Sequence, residues 1–201
     1  MFAAVLPPQD VLEELEEFLA PRREAAPLRW TRQESWHLTL AFMARVPDRS
    51  YDDLVERLTR AGRRRTPFTL SLAGGGAFPN VTRAKVLYAG VEGEPDALEE
   101  LHRLSTGARA AANKAGAPAE GAAFRPHLTL ARMSRPVEAT RWIRVLSAYH
   151  SRPFRVTEAV LVQSFLGEGP GGRPRYEVVG TFPLGGGSGR PEDDREDASH
   201  A

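Results

Sequence analysis

The pentapeptide His-Leu-Thr-Leu-Ala occurs twice, at residues 37–41 and 127–131, and a methionine follows each copy two places on, Met43 and Met133. Successive side chains of a strand point to opposite faces. In each copy that period puts His and Thr on one face and the two leucines on the other. The leucine face suits a core. The other face carries an imidazole, which titrates near pH ~6.5, beside a hydroxyl that can donate to an anion. Two such faces brought together would hold His37, Thr39, His127 and Thr129 around one pocket. One imidazole can then be protonated while the other is not, giving a general acid and a general base, with the threonines as an anion clamp. Without a nucleophile, this set fits in-line displacement at a phosphodiester: one His activates water and the other protonates the leaving oxygen. Each such proton transfer is typically worth ~10²–10⁴-fold. Two His and two Thr make a poor zinc set, and no metal is expected. The chain has no Cys, which excludes disulfides, thiolate metal sites and a Cys nucleophile.

The elements that must hold these residues read as follows. Phe2 to Leu6 is a strand closed by Pro7-Pro8. A helix starts at Asp10, with Val11, Leu12, Leu15, Phe18 and Leu19 at helical spacing, and Pro21 should stop it. Residues 22–35 are polar and irregular, with Leu28 to Trp30 extended. Trp36 to Met43 is the first His-Leu-Thr-Leu-Ala strand. A second helix runs from Asp48 to Gly62, followed by a strand from Phe68 to Leu72, the run Gly74-Gly75-Gly76, and a strand from Lys85 to Val91. A third helix runs from Pro95 to about Lys114, and Phe124 to Met133 is the second motif strand. A fourth helix spans Val137 to Tyr149, a long strand Phe154 to Phe165, and a last strand Arg175 to Leu184.

The repeat is wider than the motif. Asp10-Val11-Leu12-Glu13-Glu14-Leu15 matches Asp96-Ala97-Leu98-Glu99-Glu100-Leu101, about thirty residues before each motif. After each motif come a helix and then Pro-Phe opening a strand, at Pro67-Phe68 and Pro153-Phe154. Internal similarity of this kind predicts structural symmetry. The expected fold class is α+β: two pseudo-symmetric lobes, each a mainly antiparallel sheet with helices on the outside, and the active-site cleft between them. Residues 1–184 form this single bilobal domain. From Gly185 the chain is Gly/Ser-rich and then acidic, and reads as a disordered tail over 185–201.

The bulk properties give no competing signal. A net charge of +1 over 201 residues announces no polyanionic or membrane partner. No apolar run reaches membrane-spanning length, and the opening ten residues do not read as a signal peptide. The expectation is a soluble, cytoplasmic monomer with no cofactor and no protein partner. His102, His150 and His200 read as surface or structural residues. The triple glycine lacks a following Gly-Lys-Ser/Thr and reads as a turn or bulge, not a phosphate loop. Arg63-Arg64-Arg65 suits a solvated helix end, and Trp30 and Trp36 suit a core better than a base-stacking surface.

In these contexts the paired His-x-Thr motifs resemble the 2H phosphoesterase superfamily, and within it the RNA 2′,3′-cyclic phosphodiesterase, or 2′-5′ RNA ligase, family. The resemblance covers about residues 2 to 184. It rests on Phe2-Ala3-Ala4, Trp36 to Phe42, Gly76 to Pro79, Phe124 to Arg132 and Ser164 to Tyr176. It implies His37 as proton donor, His127 as proton acceptor, and Thr39 and Thr129 as holders of the phosphate. The implied substrates are RNA ends or nucleotides bearing a 2′,3′-cyclic phosphate, opened to a 2′-phosphomonoester without metal or cofactor. It also implies substrate contacts at Phe42 and Arg132, five residues after each His. Strict alternation would put those two on the core face, unless each strand bulges or ends before them. Arg125, in register with His127 and Thr129, is the alternative by parity. Other readings of the same scaffold are 2′-5′ ligation of RNA, hydrolysis of another small cyclic phosphate, and a non-catalytic RNA-end binding module.

Overall fold

A computed structural model of the chain describes residues 1–24, 28–121, 123–169 and 171–185. All but the first residue of the segment read as a tail lies outside the described residues. Among the described residues nine strands and four α-helices form. In chain order they are β1 (Phe2–Val5), α1 (Gln9–Glu24), β2 (Arg29–Trp30), β3 (Leu38–Phe42), α2 (Asp48–Arg63), β4 (Phe68–Phe78), β5 (Ala84–Glu92), α3 (Pro95–Lys114), β6 (Leu128–Val137), α4 (Thr140–Leu146), β7 (Phe154–Val156), β8 (Glu158–Gly169) and β9 (Arg173–Pro183).

The strands lie in the order β7-β4-β5-β6-β3-β1-β8-β9, with β2 added beside β6, and their pairings are antiparallel. Each half of this order holds one motif strand at its inner end. The halves, β7-β4-β5-β6 and β3-β1-β8-β9, are the two lobes, and each takes strands from both copies of the repeat: β4 and β5 lie with β6 and β7, and β1 and β3 with β8 and β9. They are joined into one sheet by a single antiparallel pair, Leu38 with Leu128. These are the first leucines of the two motifs. Equivalent residues paired antiparallel place a pseudo-two-fold axis between them, so the repeat meets itself at the site.

The core explains why the motif leucines are needed. Leu38, Leu128 and Leu130 are fully buried and Leu40 nearly so, in one cluster with Leu15, Leu54 and Leu101 from the helices. Burying a leucine side chain is worth about 1.5–3 kcal/mol. The motif strands are thus pinned by their apolar faces, while Thr39 and Thr129 on the other face are only partly covered. Trp36 and Trp30, 2% and 8% exposed, belong to the core.

Several elements differ from the expectation. Helix α1 runs past Pro21 to Glu24. Proline costs the helix one donor, but the last turn is held by Arg22, whose guanidinium lies 3.9 Å over the Phe18 ring and donates to the Phe18 carbonyl. The long strand from Phe154 breaks at Thr157. Its first part, β7, pairs with β4 in one half, and its second part, β8, crosses to β1 and β9 in the other. Helix α4 is only seven residues long, because β6 continues to Val137 to pair with Ala84. Of the turn or bulge expected at the triple glycine, the bulge forms: β4 passes through with a shift of register at Gly74, whose φ is +60°.

Candidate active site

Both motif strands bulge at the same place. Along β1, Ala4 pairs with Thr39 and Ala3 with Ala41, leaving Leu40 as the extra residue. Along β5, Tyr88 pairs with Thr129 and Leu87 with Ala131, leaving Leu130 extra. A bulge sets two residues of one strand against one of its neighbour and shifts the alternation by one. Leu40 with Ala41, and Leu130 with Ala131, therefore all turn into the core, where none is more than 2% exposed. The next residues return to the cleft face. Phe42 pairs with Phe2 and Arg132 with Val86, so Phe42 lies on the Thr39 face and Arg132 on the Thr129 face. Phe42 is 44% exposed there. Arg125 precedes β6 in an exposed segment and meets His127 through its backbone.

The imidazoles are anchored by one device used twice. His37 Nδ1 lies 2.8 Å from the Ser35 carbonyl, and His127 Nδ1 lies 2.7 Å from the Arg125 carbonyl, two residues back in each case. A carbonyl only accepts, so both Nδ1 atoms carry hydrogen and donate. Each Nε2 is left to take or give a proton. Aromatic rings fix the ring planes. Phe2 stacks on His37 with centroids 4.4 Å apart, and Tyr176 meets it edge-on at 5.6 Å. Phe78 and Tyr88 meet His127 edge-on at 4.9 and 5.3 Å.

The triple glycine serves this second set. A Cβ on Gly76 would stand 2.2 Å from the Tyr88 hydroxyl oxygen and 2.3 Å from Cζ. Only glycine lets the Tyr88 ring lie back against Phe78 and beside His127.

This packing sets the protonation states. Burial pushes His37 down to about 4; its bond to Ser35 pulls the other way, and charge on His127 and Arg132 depresses it further. Burial also holds His127 below the usual imidazole value, partly offset by its bond to Arg125, with Arg132 adding to the depression. His37 thus senses the charge of both His127 and Arg132, and His127 that of Arg132. In the free protein at neutral pH both histidines are uncharged.

Beside His37 opens a cavity of about 550 Å³, walled by residues 29–32, Glu34, Ser35, Arg132 and residues of the β8–β9 hairpin. Ser35 and Tyr176, both against His37, line it, whereas Phe78, Tyr88 and Arg125 around His127 do not. Among the described residues no three His, Asp or Glu side chains converge as a metal site would need.

The model of the 2′-5′ RNA ligase superfamily matches residues 6–166. The chain belongs to this superfamily. Curated relatives carry the name RNA 2′,3′-cyclic phosphodiesterase. That of Thermus thermophilus is 30% identical over 96% of this chain and 93% of its own. That of Geobacillus stearothermophilus is 31% identical over 91% of this chain, which spans 56% of that longer protein. Among solved structures, TT0787 of Thermus thermophilus has a TM-score of 0.74 at 29% identity, covering 93% of this chain and 98% of its own. Apo LigT of E. coli has 0.71 at 25%, covering 91% and 95%.

For this superfamily member, the sequence points to both His-Thr pairs, and the resemblance to Phe42 and Arg132, the residues that the bulges return to the cleft face. It gives no role to the rings that hold the histidines. Phe2, Phe78 and Tyr176 fall in stretches that carry the resemblance, but Tyr88 stands out only once its strand is seen to pair with Thr129.

Proposed function

We propose that the protein hydrolyses RNA or nucleoside 2′,3′-cyclic phosphates to 2′-phosphomonoesters by paired imidazole catalysis, as a monomer and without metal. The observation that carries this reading is the symmetric pair of bulged motif strands. They meet at Leu38–Leu128 and leave two Nδ1-anchored imidazoles and two threonine hydroxyls on one face. One chain supplies the whole set. The names of the curated relatives and the complex of LigT with 3′-AMP agree with a nucleotide substrate.

In the reaction, His127 Nε2 takes a proton from water as its oxygen attacks phosphorus. The bond from phosphorus to O3′ breaks, and His37 Nε2–H gives its proton to O3′. Thr39 and Thr129 donate to the non-bridging oxygens, and Arg132 balances their charge. The cavity supports this division of roles. It borders His37, so a nucleoside lodged on that side sets O3′ beside His37 and leaves the His127 side to water.

The donor must be charged, yet His37 is neutral in the free protein. The substrate supplies the difference. One negative charge about 4 Å from an imidazole, at an effective dielectric of about 20, is worth about 4 kcal/mol, or roughly three pH units. That raises His37 from about 4 back towards the imidazole range. The anionic cyclic phosphate thus favours uptake of a proton from solvent by the donor.

The test is phosphorus NMR of a 2′,3′-cyclic nucleotide incubated with the protein in excess EDTA. Appearance of the 2′-phosphate alone is expected. An unchanged cyclic phosphate after long incubation would leave only a binding module, and a 3′-phosphate would reverse the leaving oxygen.

A further inference from the structure

The pseudo-two-fold gives the cleft two comparable ends, and their chemistry is opposite. At one end Arg29 of β2 pairs with Arg132; at the other, Glu120 bridges to Phe42 at the equivalent place. Paired residues of antiparallel strands point to the same face, so Arg29 stands with Arg132 on the cleft side. Trp30, paired with Ala131, turns into the core. One end thus stacks like charge on like charge; the other joins an acid to an exposed ring.

Five arginines line the cavity at the cationic end, and they are not equivalent. Arg175 is held by Glu168 and Glu177 at 3.0 and 3.1 Å, and Arg173 donates to the Trp30 carbonyl at 3.0 Å, tying the hairpin to β2. Arg29 and Arg32 are exposed and, among the described residues, their guanidinium groups have no ion pair or hydrogen bond. Glu34 is the one acid on the wall. Like charges gathered with fewer counter-ions than cations are unfavourable, and a wall built that way suits a ligand that brings several negative charges. Guanidinium groups match phosphate oxygens in geometry as well as charge.

We propose that this trough is a subsite for the phosphodiester backbone on the 5′ side of the reacting nucleotide, with Arg29 and Arg32 holding its phosphates. The inference rests on the cyclic phosphodiesterase reading, because the strand enters the trough from a cyclic phosphate held at the histidines. The polyanion leaves the center past Arg132, and the Glu120 end repels it. The trough therefore makes the enzyme favour oligonucleotide ends over free cyclic mononucleotides.

The experiment compares three substrates: a 2′,3′-cyclic mononucleotide with a free 5′-hydroxyl, the same with a 5′-phosphate, and a trinucleotide ending in a 2′,3′-cyclic phosphate. Wild type and Arg29→Ala/Arg32→Ala are measured on each. The double variant should lose roughly hundredfold or more in kcat/KM on the trinucleotide, as expected for two charge-assisted hydrogen bonds. It should lose far less on the 5′-hydroxyl mononucleotide, which has no 5′ phosphate for these arginines to hold, and circular dichroism shows that it is folded. The slope of log kcat/KM against log salt for the trinucleotide should flatten by about 0.7 for each phosphate that the variant no longer neutralises. A loss on the 5′-phosphorylated mononucleotide as large as that on the trinucleotide would mean a site for a single terminal phosphate, overturning the backbone subsite. Equal losses on all three substrates, or none, would also overturn it. If wild type turns over no substrate at all, the cyclic phosphodiesterase reading fails first, and the two failures are distinguishable.

Discussion

Protonating His37 should destabilise the fold measurably, in a predictable pH window. Its folded value of about 4 lies below the 6.5 of a free imidazole because the ring is enclosed by Phe2, Tyr176 and the strand ends. Between those values the unfolded chain binds a proton that the folded chain does not. Stability must therefore rise with pH across the window, level off above pH 6.5, and fall as the pH drops towards 4. A shift of 2.5 units at about 1.36 kcal/mol per unit gives an upper figure of about 3 kcal/mol. The assay is urea unfolding at intervals from about pH 7.5 to 4.5 for wild type and His37→Asn. Asparagine cannot titrate, and its amide can still donate to the Ser35 carbonyl. The difference between the two proteins isolates this one group from the carboxylates, which titrate in both. Wild type should lose up to about 3 kcal/mol more than the variant over the window. Adding the 2′-nucleotide product should shrink the difference, since its phosphate raises His37 in the folded state. Parallel pH curves for the two proteins would refute the claim that His37 is held neutral by burial.

Two further outcomes follow from the same geometry. The pH profile of kcat/KM should be a bell on the acid side of 6.5, because both histidines of the free protein lie below that value. The profile of kcat should be displaced to higher pH by the bound phosphate; coincident profiles would argue against substrate-driven protonation. Gly76→Ala should push Tyr88 off His127, opening the ring to water and letting its pKa rise towards 6.5. Proton NMR titration of His127 reads that rise, and an unmoved titration with unchanged kcat/KM would contradict the packing role given to Gly76.

What the sequence makes legible follows from how each feature is encoded. The His-Thr pairs are visible because a repeat of chemistry-bearing residues also repeats its surroundings, down to Met43 and Met133. The bulges leave little mark. Leu40-Ala41 and Leu130-Ala131 are merely two apolar residues in a row, and only strand pairing shows that both turn inward and return Phe42 and Arg132 to the cleft. The break at Thr157 is equally silent, since Phe154 to Phe165 reads as one apolar-rich strand; a strand's change of sheet neighbour is decided by tertiary pairing. Pro21 misleads because a helix-stopping residue is tolerated where a neighbouring arginine secures the last turn. The trough depends on segments about 140 residues apart, Arg29 to Ser35 and the β8–β9 hairpin, whose meeting no local pattern announces.

The most direct test of paired imidazole catalysis is the rate of 2′,3′-cyclic nucleotide hydrolysis in EDTA for His37→Ala, His127→Ala and the double variant, each shown folded by circular dichroism. Each single substitution should cost at least ~10²–10⁴-fold, and the double variant little more than either single one, because acid and base act in one step. A folded single variant that keeps a rate near wild type would contradict the account.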